Sequence, residues 1–170
     1  MTLEEYENEL KELRERLEKL EAEKIEEPQL KRWKPGEGVR YYYVNYCNNI
    51  GDIHWSNDDN PFDNFQYLIG NCFKTPEEAE EYRKQIEYTA RYKNYIEEHS
   101  EQLDWDNQEQ KKFAVYYDCD DKIIGVEQIK TFKDQGTIYA SSEEIIRDAI
   151  HEIGEDNFKK YVLEVKWKTF

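Results

Sequence analysis

The sequence has little of what disulfide-stabilised folds, metal sites and catalytic centres need. It contains three cysteines, three histidines, seven glycines and one methionine in 170 residues. The cysteines, Cys47, Cys72 and Cys119, show no CxxC spacing, which argues against a disulfide framework and against a zinc cage. No glycine-rich phosphate loop, nucleophile elbow or HExxH motif occurs, and the histidines lie in different predicted elements. We therefore expect no enzymatic activity, no metal site and no cofactor.

The chain also has no long apolar run and no secretory signal. Its first residues are charged, and no segment is apolar enough to predict a membrane span. Cys47 and Cys119 fall at equivalent places in two similar segments, which favours reduced, buried packing residues over redox chemistry. These features together predict a cytosolic protein.

The charge is strongly of one sign, with 39 acidic against 24 basic side chains and a net charge of −15. Such a chain does not itself coat a phosphate backbone, so a basic protein surface is the expected partner. Two stretches, residues 52–63 and 97–109, contain acidic side chains but no lysine or arginine. They form either a solvated surface that aids solubility or a surface that imitates nucleic-acid phosphates. The predicted partner-binding residues are Asp52, Trp55, Asp58, Asp59, Asp63, Glu97, Glu98, Glu101, Asp104 and Asp106.

The segment from Ser56 to Asn64 carries much of the first acidic stretch. A calcium loop is one interpretation of its aspartates. The spacing lacks the glycine and the final glutamate of an EF-hand, so an acidic surface loop is the preferred prediction.

The main positive feature is a pattern that occurs twice. Each copy has a tyrosine-rich strand, a turn marked by glycine, and a helix that begins with paired glutamates. The first copy starts with Tyr41–Cys47 and the second with Phe113–Cys119. The sequence therefore predicts an α+β domain with a duplicated β-β-α unit and an antiparallel sheet. The hydroxyl and glutamate pairs with capping-box spacing are Thr75 with Glu78 and Ser141 with Glu144.

Apolar spacing sets the predicted limits of the helices and of a last strand. One long helix is predicted over Pro76–Glu98, and a shorter one over Glu143–Ile153 ends before Gly154. From Tyr161, apolar residues alternate with polar ones, which is typical of a strand with one buried face. We therefore expect a closing strand over Tyr161–Lys168.

The N-terminal residues carry a separate helical signal. In a parallel pair, Glu9 would face Arg14 of the partner subunit and Arg16 would face Glu21 of the partner subunit, which favours a parallel homodimer. A helix that folds back on its own domain is the alternative, because about three heptads alone are marginally stable. The residues with the a/d spacing of a coiled coil are Leu3, Tyr6, Leu10, Leu13, Leu17 and Leu20.

Pro28 and the glycines after it divide the chain. The predicted organisation is a coiled-coil helix over residues 1–27, a linker and domain entry over 28–40, a first β-β-α unit with its long helix over 41–110, and a second unit with the closing strand over 111–170.

A further pattern runs through residues 33–90, and its strongest element, Gly70–Glu80, has the form GNxFxTxEEAE. The other residues of this pattern are Trp33-Lys34-Pro35-Gly36-Glu37, Tyr41–Tyr43, Trp55 and Asp63. In these residues the chain resembles small accessory proteins of phages and prophages of Gram-positive bacteria. The resemblance implies a viral or mobile-element origin, and with it an anti-defence protein such as an anti-CRISPR, but it assigns no biochemistry to any residue.

These observations lead to one preferred function and two alternatives. The preferred function is a non-enzymatic inhibitor in the host cytoplasm, which blocks the nucleic-acid site of a defence nuclease, for example an RNA-guided one, through acidic and aromatic residues. The first alternative is a sponge for a cyclic-nucleotide signal that uses the basic residues around Arg32 and Lys160. The second is a structural protein assembled through its coiled coil.

Overall fold

The computed structural model describes residues 11–16, 32–57, 59–130 and 132–165. The chain divides into two units, Met1–Trp33 and Lys34–Phe170. In the first unit, residues 11–16 are helical, and Leu13 among them is exposed. The other predicted coiled-coil positions lie outside the described residues; they are Leu3, Tyr6, Leu10, Leu17 and Leu20.

The second unit is a mixed α+β fold, which confirms the predicted class at that level. An antiparallel hairpin of β1 and β2 forms one sheet, and β4, β3 and β5 form a second antiparallel sheet in that order. The strands are β1 (Arg40–Val44), β2 (Ile50–His54), β3 (Lys112–Asp118), β4 (Ile123–Ile129) and β5 (Tyr139–Ala140). The helices are α1 (Pro61–Leu68), α2 (Pro76–His99), α3 (Glu143–Ile153) and α4 (Glu155–Asn157), followed by a π-helix (Phe158–Val162).

A tyrosine faces a glycine in each long hairpin. Tyr43 pairs with Gly51 across β1 and β2, and Tyr116 pairs with Gly125 across β3 and β4. A Cβ atom on Gly51 would lie 2.8 Å from Cζ of Tyr43, and one on Gly125 would lie 2.1 Å from Cζ of Tyr116. The rings therefore lie directly on the glycine backbone, so each hairpin keeps its register with an aromatic ring over a residue without a side chain.

The two main helices begin with side-chain caps, one of them at a different residue from the prediction. The Thr75 hydroxyl accepts from the Glu78 N–H at 3.2 Å, as predicted, while the Glu78 carboxylate accepts from the Lys74 N–H at 2.9 Å. At α3 the prediction of Ser141 is wrong, because the Ser142 hydroxyl accepts from the Ile145 N–H at 3.3 Å.

Ser141 joins two distant parts of the chain instead of capping α3. Its hydroxyl accepts from the Glu101 N–H at 3.1 Å, and its own N–H donates to the Ser100 hydroxyl at 2.8 Å. This pair of bonds fixes the end of α2 beside β5 and leaves the capping of α3 to Ser142, while the helix itself begins at Glu143 as predicted.

The main core lies between the second sheet and the helices that cover one of its faces. Tyr92 and Ile96 of α2 meet Ile146 of α3 and Phe158 of the π-helix, all buried. The ring of Tyr92 stands edge-on to Phe158 with 4.9 Å between the ring centres. The long helix α2 therefore contributes to this core through its C-terminal half, and β1 packs along its N-terminal half.

The closing strand predicted from Tyr161 is wrong over residues 161–165, because the chain there finishes the π-helix and then continues without strand pairing. Phe158 and Tyr161 are both buried. They are three residues apart, so on a helix both side chains lie on the side that packs against α2. Tyr161 stacks on Tyr88 with 5.1 Å between ring centres, and the Lys160 ammonium lies 2.7 Å from the Glu81 carboxylate. These contacts with α2 replace the sheet pairing that the alternation of apolar residues indicates.

The three cysteines lie in different surroundings. Cys72 is buried, whereas Cys47 and Cys119 are exposed in the turns after β1 and β3. The prediction of buried packing cysteines is therefore wrong for this equivalent pair, because the strands end before the cysteines and the hairpin turns project them into solvent.

Candidate functional site

The first predicted acidic stretch divides between the surface and the interior. Asp52 and Asp59 are exposed, and Asp52 lies 3.5 Å from the Arg40 guanidinium. Trp55 and Asp63 are buried, with 1% and 0% of their surface exposed. A partner cannot contact these two side chains without unfolding the region, so neither belongs to a binding surface. Asp58 lies outside the described residues.

Asp63 holds the first hairpin to α1. Its carboxylate accepts from the Tyr41 hydroxyl at 2.8 Å and from the Ser56 N–H at 2.8 Å. Burial raises the pKa of Tyr41 far above its usual value, and the hydrogen bond to the Asp63 carboxylate raises it further. The carboxylate therefore has a structural role, which the prediction of a solvent-facing loop missed.

The second predicted acidic stretch does lie at the surface. Glu97 pairs with Lys93 at 3.6 Å, on the last turns of α2. The next four predicted residues show no ion pair among the described residues; they are Glu98, Glu101, Asp104 and Asp106, all of them exposed.

Residues 101–110, which we call the acidic loop, have a fixed backbone. The side chain of Gln110 bonds across the loop, accepting from the Asp104 N–H at 2.6 Å and donating to the Gln102 carbonyl at 2.9 Å. The Lys112 ammonium donates to the carbonyls of Asn107 at 2.9 Å and Gln110 at 3.1 Å. Since Lys112 is 1% exposed, its ammonium group bonds the loop backbone from the buried side, and the loop carboxylates stay at the surface.

Trp105 anchors the acidic loop on the second sheet. Its ring stands edge-on to Tyr139 with 4.8 Å between centres. Two ammonium groups, those of Lys112 and Lys133, lie 5.5 Å and 5.3 Å from the ring centre. Leu103 packs beside it against the same sheet face. The loop is therefore an ordered platform whose outer side is acidic.

The two acidic stretches lie near opposite ends of α2. Asp52 pairs with Tyr42, which bridges to Phe73 just before the helix begins. The acidic loop follows its other end, and a helix of 24 residues spans about 36 Å. The exposed carboxylates of Glu98, Glu101, Asp104 and Asp106 therefore follow one another from the end of α2 through the acidic loop, whereas Asp52 lies near the start of that helix.

Helix α1 buries two polar side chains on the side where Tyr67 stands edge-on to Trp55, with 6.4 Å between ring centres, and it leaves several apolar side chains exposed. It buries Asp63 and Gln66, and Gln66 accepts from the Asn71 side chain at 2.7 Å. Asn71 in turn bonds both backbone groups of Val44 at 2.8 Å. The opposite side, which we call the α1 apolar face, consists of Phe62, Phe65, Leu68 and Ile69, exposed by 42%, 57%, 71% and 47%.

The sequence contained the signal for this helix. Asn60 is a good N-cap, Pro61 suits the first helical position, and the apolar residues after it follow helical spacing. The prediction of an acidic loop gave more weight to the aspartates than to this periodicity.

An open groove lies beside the α1 apolar face, between the first hairpin and α2. Its volume is about 440 Å³, within the range of small-ligand and peptide side-chain pockets. Glu87 is the charged residue that lines it in the described part of the chain. The apolar lining comes mainly from Val44, Tyr46, Ile69, Tyr82, Ile86 and Ala90.

No family model matches the sequence, and neither the curated proteins nor the solved structures contain a significant match. Across the described ranges, no group of three or more histidine, cysteine, aspartate or glutamate side chains is placed to hold a metal ion. Among the same residues, no helix combines the length and apolar character needed to cross a membrane.

Proposed function

We propose that this protein is a phage-encoded, non-enzymatic inhibitor of a bacterial defence nuclease, of the anti-CRISPR type, acting in the host cytoplasm. In this proposal the acidic loop enters the basic nucleic-acid channel of the nuclease and competes with DNA or RNA. The observation that carries it is the fixed backbone of the loop, which is held by Gln110, Lys112 and Trp105 while its carboxylates face solvent.

The physical argument rests on preorganisation and charge. Within the described residues, Glu101, Asp104, Asp106 and Glu109 make no ion pair, so their charge is available to a partner's lysines and arginines. A loop that is already ordered loses little conformational entropy when it binds. Because the loop alone supplies the mimicry, Trp55, Asp63 and the distant Asp52 are not part of the proposed contact.

Two finer features of the fold belong to the same proposal. A duplicated β-β-α origin is supported by the equivalent pairs Tyr43 with Gly51 and Tyr116 with Gly125. A parallel homodimer formed by the N-terminal heptads would present two acidic loops and raise the affinity for an extended basic channel.

The test is a pull-down from the nuclease-treated lysate of a defence-bearing Gram-positive host, followed by a DNA-binding assay with the nuclease that is recovered. The test variant carries Glu101→Gln, Asp104→Asn, Asp106→Asn and Glu109→Gln. Asparagine at 104 keeps the oxygen that accepts from the Asp106 N–H. We expect the wild-type protein to retain a basic nuclease at low salt and to prevent it from binding DNA, and the variant to do neither.

The matched control removes the same number of charges elsewhere on the surface. It carries Asp120→Asn, Asp121→Asn, Asp134→Asn and Glu144→Gln, all at exposed positions. If this control lost binding as completely as the loop variant, net charge alone would explain the effect. If the loop variant still inhibited DNA binding, the acidic loop would have no part in the function.

A further inference from the structure

Strand β4 is a free edge of the second sheet. The sheet order places β3 on one side of it, and in the described part of the chain no group hydrogen-bonds to β4 from the other side. At the opposite edge of the same sheet, β5 has two residues, whereas β4 has seven. β4 is therefore the edge on which this sheet can add a full strand.

The β4 edge lacks the features that usually prevent strands from pairing. Its residues, Ile123–Ile129, include no proline and one charged side chain, that of Glu127. Each of the seven pairs in turn with one residue of β3, so no bulge interrupts the strand. Proteins usually protect a long edge with charges, proline, a bulge or a covering segment. A long, regular edge without them is typical of a surface that pairs with another strand.

The outer face of the second sheet, which is the face turned away from the main core, carries two polar groups beside this edge. The Tyr116 ring lies over Gly125, with its hydroxyl near the place that a glycine Cβ would take. Glu127 lies on the same face, two residues further along β4, and is exposed. The hydroxyl and the carboxylate make no hydrogen bond or ion pair within the described residues, so both are available to a strand that pairs with this edge.

A second β4 strand fits this edge best in one antiparallel register. In a twofold-symmetric pair, side chains that face each other lie on the same side of the sheet, so the axis passes through one residue of each copy. An axis at Val126 pairs the whole strand, an axis at Gly125 leaves the last two residues unpaired, and an axis at Glu127 sets two carboxylates against each other. With the axis at Val126, Lys122 and Lys130 face each other only beyond the ladder, where both are exposed and salt screens their repulsion.

The register with Val126 at the axis gives both available polar groups a partner. It places Glu127 of the partner subunit opposite Gly125, beside the Tyr116 hydroxyl that lies over that glycine. Facing Cβ positions in an antiparallel pair are about 5 Å apart, so the carboxylate is within reach of the hydroxyl. Symmetry makes the same contact a second time.

We propose that β4 pairs with β4 of a second copy of this protein, antiparallel and with Val126 at the twofold axis, and that Tyr116 donates a hydrogen bond to Glu127 of the partner subunit. One sheet then continues through both copies. Both acidic loops lie on the same face of that sheet, since the axis is perpendicular to it and each loop packs on the outer face through Leu103 and Trp105. The pairing does not depend on the inhibitory role of the loops.

Disulfide crosslinking tests the register in the full-length chain. Every chain carries Leu13→Asp, which removes the proposed pairing of the heptads, together with Cys47→Ser and Cys119→Ser, which remove the exposed native thiols. Val126→Cys places a thiol at the axis, where it faces its own copy, and should give a covalent dimer on mild oxidation. Ile123→Cys is the matched control, because residue 123 would lie about six residues, or about 20 Å, from its own copy along the paired strand, and it should not crosslink.

Sedimentation of chains with Leu13→Asp and the native cysteines tests the Tyr116 contact. The chain with intact β4 should dimerise as its concentration rises. Tyr116→Phe and Glu127→Ala should each weaken association by about tenfold or more, as for a hydrogen bond to a charged group, and the double variant should be no weaker than either one. Tyr116 and Glu127 are both exposed, so these variants should fold, which circular dichroism checks.

Tyr43→Phe is the matched control for the hydroxyl. It removes the same atom from the equivalent ring, which lies over Gly51 in the first hairpin, and should leave association unchanged.

Three results would overturn the proposal. A chain with intact β4 that stays monomeric at every concentration would show that the edge does not pair with a second copy. Equal crosslinking of the Val126→Cys and Ile123→Cys chains would show that the register is wrong. Equal association of the Tyr116→Phe and Tyr43→Phe chains would show that the Tyr116 hydroxyl makes no contact with the partner subunit.

Discussion

The buried pair of Tyr41 and Asp63 makes a sharp test of how the first hairpin is held. Replacing Tyr41 by phenylalanine keeps the ring and removes the hydroxyl that donates to the Asp63 carboxylate at 2.8 Å. The carboxylate then keeps one donor, the Ser56 N–H, in a site with no exposed surface. Hydrogen bonds to charged groups contribute about 1.5–3 kcal/mol, so Tyr41→Phe should lower the free energy of unfolding by about 2 kcal/mol.

Tyr92→Phe is the matched control, because it removes the same atom from another buried ring. The Tyr92 hydroxyl has no hydrogen-bond partner among the described residues, and the side chain is 1% exposed. Burying a hydroxyl without a partner costs about 1–3 kcal/mol in protein mutational data. Tyr92→Phe should therefore leave the free energy of unfolding unchanged or raise it by about 1 kcal/mol.

Urea unfolding followed by circular dichroism measures both variants. With a urea dependence of about 2 kcal/mol per molar, the midpoint should fall by about 1 M for Tyr41→Phe and should not fall for Tyr92→Phe. Equal losses in the two variants would mean that the hydroxyl of Tyr41 has no special role. An unchanged midpoint for Tyr41→Phe would refute the argument that Asp63 depends on it.

Three further predictions concern pH, the acidic loop and the cap of α3. Burial raises the pKa of Tyr41 and of Tyr92. Above about pH 10 the unfolded chain therefore loses these two protons while the folded chain keeps them, so the free energy of unfolding should fall with rising pH, by at most about 1.4 kcal/mol per pH unit per tyrosine. Tyr92→Phe should reduce the slope of the urea midpoint against pH. Lys112→Met removes a buried ammonium group that donates two hydrogen bonds to the acidic loop, so amide hydrogen exchange in residues 101–110 should become about tenfold faster or more. Lys111→Met, at an exposed position, should leave the exchange rates unchanged. Equal rates in the two variants would refute the anchoring role of Lys112. Ser142→Ala removes the cap of α3 and should cost about 1 kcal/mol in urea unfolding, and no loss would show that the cap contributes nothing.

The sequence predicted the parts of the fold that depend on neighbours along the chain. The limits of α2 and α3 follow from helical spacing and from hydroxyl caps, which act within one turn. The tyrosine-rich segments before Cys47 and Cys119 form β1 and β3, because alternating aromatic residues suit a strand covered on both faces.

The candidate site was predicted only in part. The carboxylates from Glu98 to Asp106 are exposed as expected, and it is Leu103 and Trp105 of the same segment that pack on the second sheet. The sequence pattern did not indicate that Lys112 and Trp105 would hold the same segment rigidly. It also did not reveal the α1 apolar face, because the buried side of that helix is the polar one.

By itself, the sequence determined the α+β class, the long helices and the excess of negative charge, all of which depend on composition and local periodicity. Only the tertiary structure decided which polar side chains are buried. Asp63 points inward because the Tyr41 hydroxyl, 22 residues earlier in the chain, donates to it. The last helical turn forms in place of a strand because Tyr161 stacks on Tyr88 of a distant helix. Both outcomes depend on partners that are far apart in sequence, and a buried polar or aromatic group takes the conformation in which such a partner satisfies it.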